Sequence, residues 1–175
     1  MFKEDELLAL GVKQYIAPPR YGKEIGRGGY GRVYLSSRSN RVWKRTFDEW
    51  ELYAALWQMK HKHPLLVRVY DVRFNLQETQ VFPPYTREVN YIWILRERAD
   101  DDLEGLSYTQ RDELNKAFGE LKRPLQNDFS FPDDRSMNRG YAYRHGKPQL
   151  VIRDLGAMRV KPAQLNTPPL AKGSL

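Results

Sequence analysis

Gly26, Gly28 and Gly31 spell GxGxxG, with Gly29 inside the pattern and Val33 two residues beyond it. Glycines let backbone amides approach phosphate oxygens closely and permit turns closed to other residues, so the chemistry such a run serves is the cradling of a nucleotide's phosphates. A ligand-free hairpin turn would use the same residues, and the flanks separate the nucleotide folds. A dinucleotide fold needs its glycines between a strand and a helix, whereas β-branched and aromatic residues stand on both sides here; no GKS or GKT supplies a P-loop. Other chemistries are excluded by residue stock. The chain has no cysteine, which removes disulfides, thiolate zinc sites and thiol nucleophiles. His61, His63 and His145 are its only histidines, a thin supply for a metal cage.

The elements that must position the glycines follow from periodicity. Residues 4–14 read as a short amphipathic helix ended by Pro18 and Pro19. Residues 21–35 predict a hairpin around the glycines, and a second turn at 36–40 leads into a third strand, RVWKRT. In 47–60, Trp50, Tyr53, Ala54 and Trp57 fall at i, i+3, i+4 and i+7, one face of a helix. HPLLVRVYDVRF and NYIWILRER are strand-like, and the intervening 75–88 reads as a loop or insertion. Thr109 to Leu121 reads as a helix with Leu114, Ala117, Phe118 and Leu121 on one face, and GYAYR and QLVIRD flank a small hairpin turn. One helix among successive strands predicts an α+β fold with an antiparallel sheet.

At 175 residues, 41% hydrophobic and 29% charged, the chain is long enough to bury a core and too apolar to stay disordered. No segment approaches a membrane span, and the acidic amino terminus does not read as a secretory signal, so the expected compartment is the cytoplasm without membrane association. The net charge is +7. Residues 1–119 hold 19 basic against 17 acidic residues, and 120–161 hold nine against five, so the excess lies in the carboxy-terminal third. That weak asymmetry gives nucleic-acid binding little support and is compatible with an acidic protein partner.

Strand, glycine loop, strand resembles the protein-kinase arrangement. The resemblance implies a lysine on the next strand to hold the α and β phosphates, supplied by Lys44 in VWK. It also implies an acid on the following helix to orient that lysine. Glu51 is favoured because Ala54 and Ala55 let the helix approach the sheet; Glu49 is the alternative. The run NRVWKRTFDEWELYAALWQMK and the VYDV after it resemble the small divergent early serine/threonine kinases of T7-like bacteriophages, and minimal type III effector kinases are similar in outline. In such kinases an Asp and an Asn five apart precede an Asp-x-Gly. Asp133 and Asn138, then Asp154 and Gly156, match in order and spacing, with Asp134 an alternative to Asp133. The resemblance implies that Asp133 handles the substrate hydroxyl, that Asn138 and Asp154 hold Mg2+, and that Arg135 replaces the lysine facing the γ phosphate. Glu97 to Ala99 would be the backbone segment meeting adenine, with Arg96 or Leu95 at the back of the pocket and one of Asp100, Asp101 or Asp102 at the ribose.

The expected organisation is an amino-terminal helix and linker over 1–19, a kinase-like lobe over 20–98, a minimal second lobe over 99–161 and a flexible tail over 162–175. Phe131-Pro132 stand where such kinases carry His-Arg, and Leu155 replaces the phenylalanine of DFG. Nineteen residues follow Gly156, too few for a helical peptide-binding platform. Substrate docking is therefore expected on a basic surface around Lys122, Arg123, Arg139, Arg144 and Lys147. The function implied is ATP- and Mg2+-dependent phosphorylation of serine or threonine hydroxyls on a host protein. The alternative is a pseudokinase-like module that inhibits a host protein by occupancy. A small-molecule kinase of the aminoglycoside type would need a larger helical lobe.

Overall fold

A computed structural model describes residues 3–82, 85–101, 103–132 and 135–160. The fold is α+β, built on a six-stranded, mostly antiparallel sheet with few helices. Its strands are β1 (Lys13–Gln14), β2 (Glu24–Gly28), β3 (Gly31–Leu35), β4 (Arg41–Thr46), β5 (Val69–Phe82) and β6 (Tyr85–Glu97), in the order β1-β5-β6-β4-β3-β2. Only β1 pairs in parallel, against β5.

The first helix, α1 (Glu4–Ala9), is shorter than the expected 4–14. Gly11 adopts φ +75°, a left-handed turn that suits glycine at a helix end, and the chain enters β1 at Lys13, five residues before Pro18 could act. The second helix, α2 (Glu49–His61), starts at Asp48, whose Oδ1 accepts a hydrogen bond from Trp50 N at 3.0 Å, and ends at Lys62 with φ 52°. Its buried face is Glu51, Leu52, Ala54, Ala55 and Gln58, not the expected aromatic stripe, which corrects the face read from hydrophobic spacing. Trp50, Tyr53 and Trp57 are only half buried on its flank. Two polar residues hold the buried face because each has partners there. Gln58 Nε2 donates to the carbonyls of His63, Leu66 and Val67, and its Oε1 accepts from His63 N, so one side chain fixes the turn after the helix.

Residues 75–82 and 85–88 are strand, not a loop. β5 and β6 pair antiparallel from Val69↔Arg96 out to Phe82↔Tyr85, a hairpin much longer than its apolar half. Threonine, valine and aromatic residues sustain extended backbone here although the hydropathic signal fades.

After the sheet comes α3 (Tyr108–Leu125), opened by a capping box between Ser107 and Gln110 and running past Leu121 to bury Leu125. Phe118 is buried and Leu114 and Leu121 pack on the core, but Ala117 is exposed. A two-stranded pair joins β7 (Phe129–Ser130) to β10 (Arg159–Val160). The hairpin of β8 (Arg139–Arg144) and β9 (Lys147–Ile152) turns at His145-Gly146, both with positive φ as a tight two-residue turn requires. β9 is joined to the segment after α2: Ile152 N donates to Leu65 O at 2.8 Å and Val67 N to Ile152 O at 3.1 Å. The main core lies between the sheet and these later elements and includes Leu52, Ala55, Phe74, Ile92, Leu155 and Met158. Tyr34, Trp43 and Trp93 make a second cluster. No helix among the described residues is long and apolar enough to cross a membrane. The expected tail over 162–175 lies outside the described residues.

Candidate active site

The glycine hairpin roofs a cleft of about 510 Å³. Gly26, Gly28, Gly29, Gly31 and Val33 all line it. Gly31 pairs with Thr46 across the sheet, and a Cβ there would lie 2.3 Å from Arg45 O, so only glycine lets the roof lie this close to β4. At Gly28 and Gly29 a Cβ would meet no atom within 4 Å. The fold does not demand glycine at those two positions, whereas a phosphate group brought beneath the loop would.

The floor is an ion cluster. Lys44 on β4 is buried, its Nζ 2.6 Å from Glu51 Oε1 and 2.9 Å from Asp154 Oδ1. The contact to Asp154 is a hydrogen bond; that to Glu51 is an ion pair without hydrogen-bond alignment, and Glu51 Oε2 has no hydrogen-bond partner. Glu51 is wholly enclosed, and burial pushes its carboxyl above the ordinary range despite the nearby Lys44 charge. Burial pushes Asp154 up as well, but the Lys44 ammonium, Arg96 and the Gly156 N–H together outweigh it and hold that carboxyl below its usual range. Glu49 lies exposed in the first turn of α2, so Glu51 is the helix acid that reaches Lys44.

Asp154 is placed by local backbone geometry. It caps a short 3-10 turn over Leu155–Ala157, accepting from Gly156 N, while its own N–H donates to Asn138 O at 3.2 Å. Arg153 N bonds the same carbonyl at 2.9 Å, so residue 138, at the start of the hairpin, is tied to residue 154 at its end. The Asn138 side chain is buried beside this junction but does not line the cleft. Gly156 packs so tightly on α2 that a Cβ would fall 2.5 Å from Asp48 Oδ2. Asp48 thus stands in the cleft wall, a site residue that sequence reasoning missed because no motif marks it.

Of the segment expected to meet adenine, Arg98 and Ala99 line the cleft and Glu97 does not. Glu97 N donates to Arg68 O, and its carboxylate meets Arg144 at 2.5 Å and accepts from Arg68 N at 3.1 Å. Arg144 is accordingly buried, which corrects its reading as basic surface; it also donates to the carbonyls of Pro64 and Leu66. Arg96 faces the cleft, while Leu95 packs with the aromatic cluster on the sheet's other face. Asp100 is held by Arg98 at 2.8 Å and Asp101 by Arg153. Arg135 is exposed at the start of the turn over Ser136–Asn138 and does not line the cleft. Asp133, its alternative Asp134, and Asp102 lie outside the described residues.

No protein-family model matches the chain, and no curated protein is significantly similar to it. The site's geometry therefore carries the functional argument.

Proposed function

We propose that the chain is a minimal, protein-kinase-like phosphotransferase that moves the γ-phosphoryl group of a nucleoside triphosphate, with Mg2+, to a serine or threonine hydroxyl of a host protein. The observation that supports this reading is the cluster of Lys44, Glu51 and Asp154: three charged groups from a strand, a helix and a turn 110 positions away converge beneath a glycine loop open on its cleft side. An ion cluster kept only for stability would be an unprofitable choice, because well-packed apolar residues do as well in such places.

The donors suit the cofactor pair. Mg2+ takes hard oxygen ligands and is satisfied by one or two protein groups plus phosphate oxygens; Asp154 lines the cleft and would offer one, whereas the Asn138 amide, which the kinase resemblance implies as a second ligand, lies outside the cleft lining. When bound, it would neutralise charge on the phosphates. Lys44, steered by Glu51 and Asp154, presents an ammonium to the phosphates, and the Gly28 and Gly29 backbone closes over them. The kinase resemblance assigns the acceptor hydroxyl to Asp133, the aspartate five residues before Asn138. ATP is the nucleotide the kinase resemblance implies.

Incubation with γ-labelled nucleotide, Mg2+ and host lysate tests the reading. Wild type should label itself or a host protein, and Lys44→Ala and Asp154→Ala should not. A wild type that labels nothing yet captures a host protein would replace the enzyme with the occupancy-based binding module, and labelling that survives in both variants would overturn the site assignment.

A further inference from the structure

Arg96 lies on β6 opposite Val42, one same-face step along the paired strands from Ile94 and Lys44. That step is about 6.8 Å and leads from Lys44 towards Ala99, so under the nucleotide reading Arg96 stands on the base side of Lys44. The side chain is only 6% exposed and lines the cleft. Its Nε and Nη1 have no hydrogen-bond partner. The carboxylates of Glu51 and Asp154 attract its charge, and Arg153 opposes it, but neither carboxylate accepts a hydrogen bond from its Nε or Nη1. A guanidinium has five donors and no acceptor, and leaving them unpaired in a buried place is costly. Since no protein hydrogen bond holds the group, it can rotate towards a ligand without breaking one.

Whatever completes Arg96 must therefore present acceptors. The two purines differ at this edge. Guanine offers O6 and N7, two neighbouring acceptors that match an arginine fork, whereas adenine offers N7 beside an amino donor. We infer that Arg96 makes this cleft selective for a 6-oxopurine nucleotide, GTP over ATP. The inference rests on the nucleotide reading above, keeps its triphosphate and replaces the ATP that the kinase resemblance implies. An adenine in the same place would set its amino group against the guanidinium and leave donors on both sides unpaired.

The test is calorimetric titration of the full chain with GTP, ITP and ATP in the presence of Mg2+, repeated with Arg96→Leu and Arg96→Lys, each checked for folding by thermal melting. ITP carries O6 and N7 but lacks the 2-amino group, so it isolates the contact. GTP and ITP should both bind about tenfold to a hundredfold more tightly than ATP. The preference should vanish in Arg96→Leu and shrink in Arg96→Lys, which keeps the charge but loses the fork. If wild type binds ATP at least as tightly as GTP, the base assignment falls while the nucleotide site stands; the wild-type series alone decides this even if a variant fails to fold. A preference that persists in Arg96→Leu would also overturn it, reducing Arg96 to a countercharge for Glu51 and Asp154. If none of the three nucleotides binds, the nucleotide reading itself fails and takes this inference with it.

Discussion

Lys44 Nζ stands 2.6 Å from Glu51 Oε1 with the Glu51 side chain fully enclosed, so the ammonium is the main compensation for a carboxylate that water cannot reach. Removing one partner strands the other. Lys44→Met should lower unfolding stability by about 3–5 kcal/mol, and adding Glu51→Leu to it should recover most of the loss, since apolar replacements of a buried pair are often neutral. Urea denaturation midpoints check both, and a double variant as unstable as the single one would contradict the pairing.

The two carboxylates of the cluster respond to pH in opposite senses. Burial lifts Glu51 above its ordinary 4.5, so over the range above 4.5 the folded chain keeps a proton that the unfolded chain releases, and stability falls as pH rises. Asp154 is held below its ordinary 3.8; beneath that value the unfolded chain binds more protons, and stability is lost as pH falls. In urea titrations between pH 3 and 8, Glu51→Gln should gain on wild type as pH rises above 4.5. The deficit of Asp154→Asn should shrink as pH falls below 3.8. Offsets that stay constant with pH would show that neither group titrates differently in the fold.

Arg144→Met should cost about 3–5 kcal/mol, because it strands the Glu97 carboxylate and releases the Leu66 carbonyl, which its Nη2 meets at 2.7 Å. An exposed arginine would show almost no effect, so thermal melting separates the buried clamp from the basic surface expected of this residue.

The glycines divide by what surrounds them. Gly31→Ala pushes a methyl group into Arg45 O and should destabilise the fold by about 1–3 kcal/mol. Gly28→Ala and Gly29→Ala meet open space, so stability should stay within about 0.5 kcal/mol of wild type while nucleotide affinity drops. Unchanged affinity in both would mean that no phosphate lies beneath the loop.

Much of this arrangement was legible in the residues. The glycine hairpin, the Lys44 strand and the His145-Gly146 turn each carry a local signal, and local signals survive into the fold. The buried face of α2 survives only in part: Ala54 and Ala55 turned Glu51 towards the sheet, but hydrophobic periodicity selects the aromatic flank and cannot credit Gln58 with partners that arrive from the segment after the helix. The outer half of the β5–β6 hairpin was hidden for a related reason: its polar residues pair through backbone, which composition does not report. Arg144 was the hardest to read. An arginine is buried only where acceptors gather, and here they come from Pro64, Leu66 and Glu97, nearly 50 or more positions away.

The seam where Leu65–Val67 joins Ile152, reinforced by the Arg144 clamp and by the paired backbones of Asp100 and Tyr141, has a consequence for how a ligand enters. The wall and floor of the cleft are stitched from the same strands, so the two halves cannot swing apart without tearing several buried hydrogen bonds. The roof is held unevenly: β2 is an edge strand paired with β3 alone, while β3 pairs with β4 and the loop tip is tied down where Tyr30 O accepts from Thr46 Oγ1 at 3.1 Å and from Phe47 N at 3.3 Å. A nucleotide taken up as proposed would therefore enter past the β2 edge, where the fewest bonds have to open.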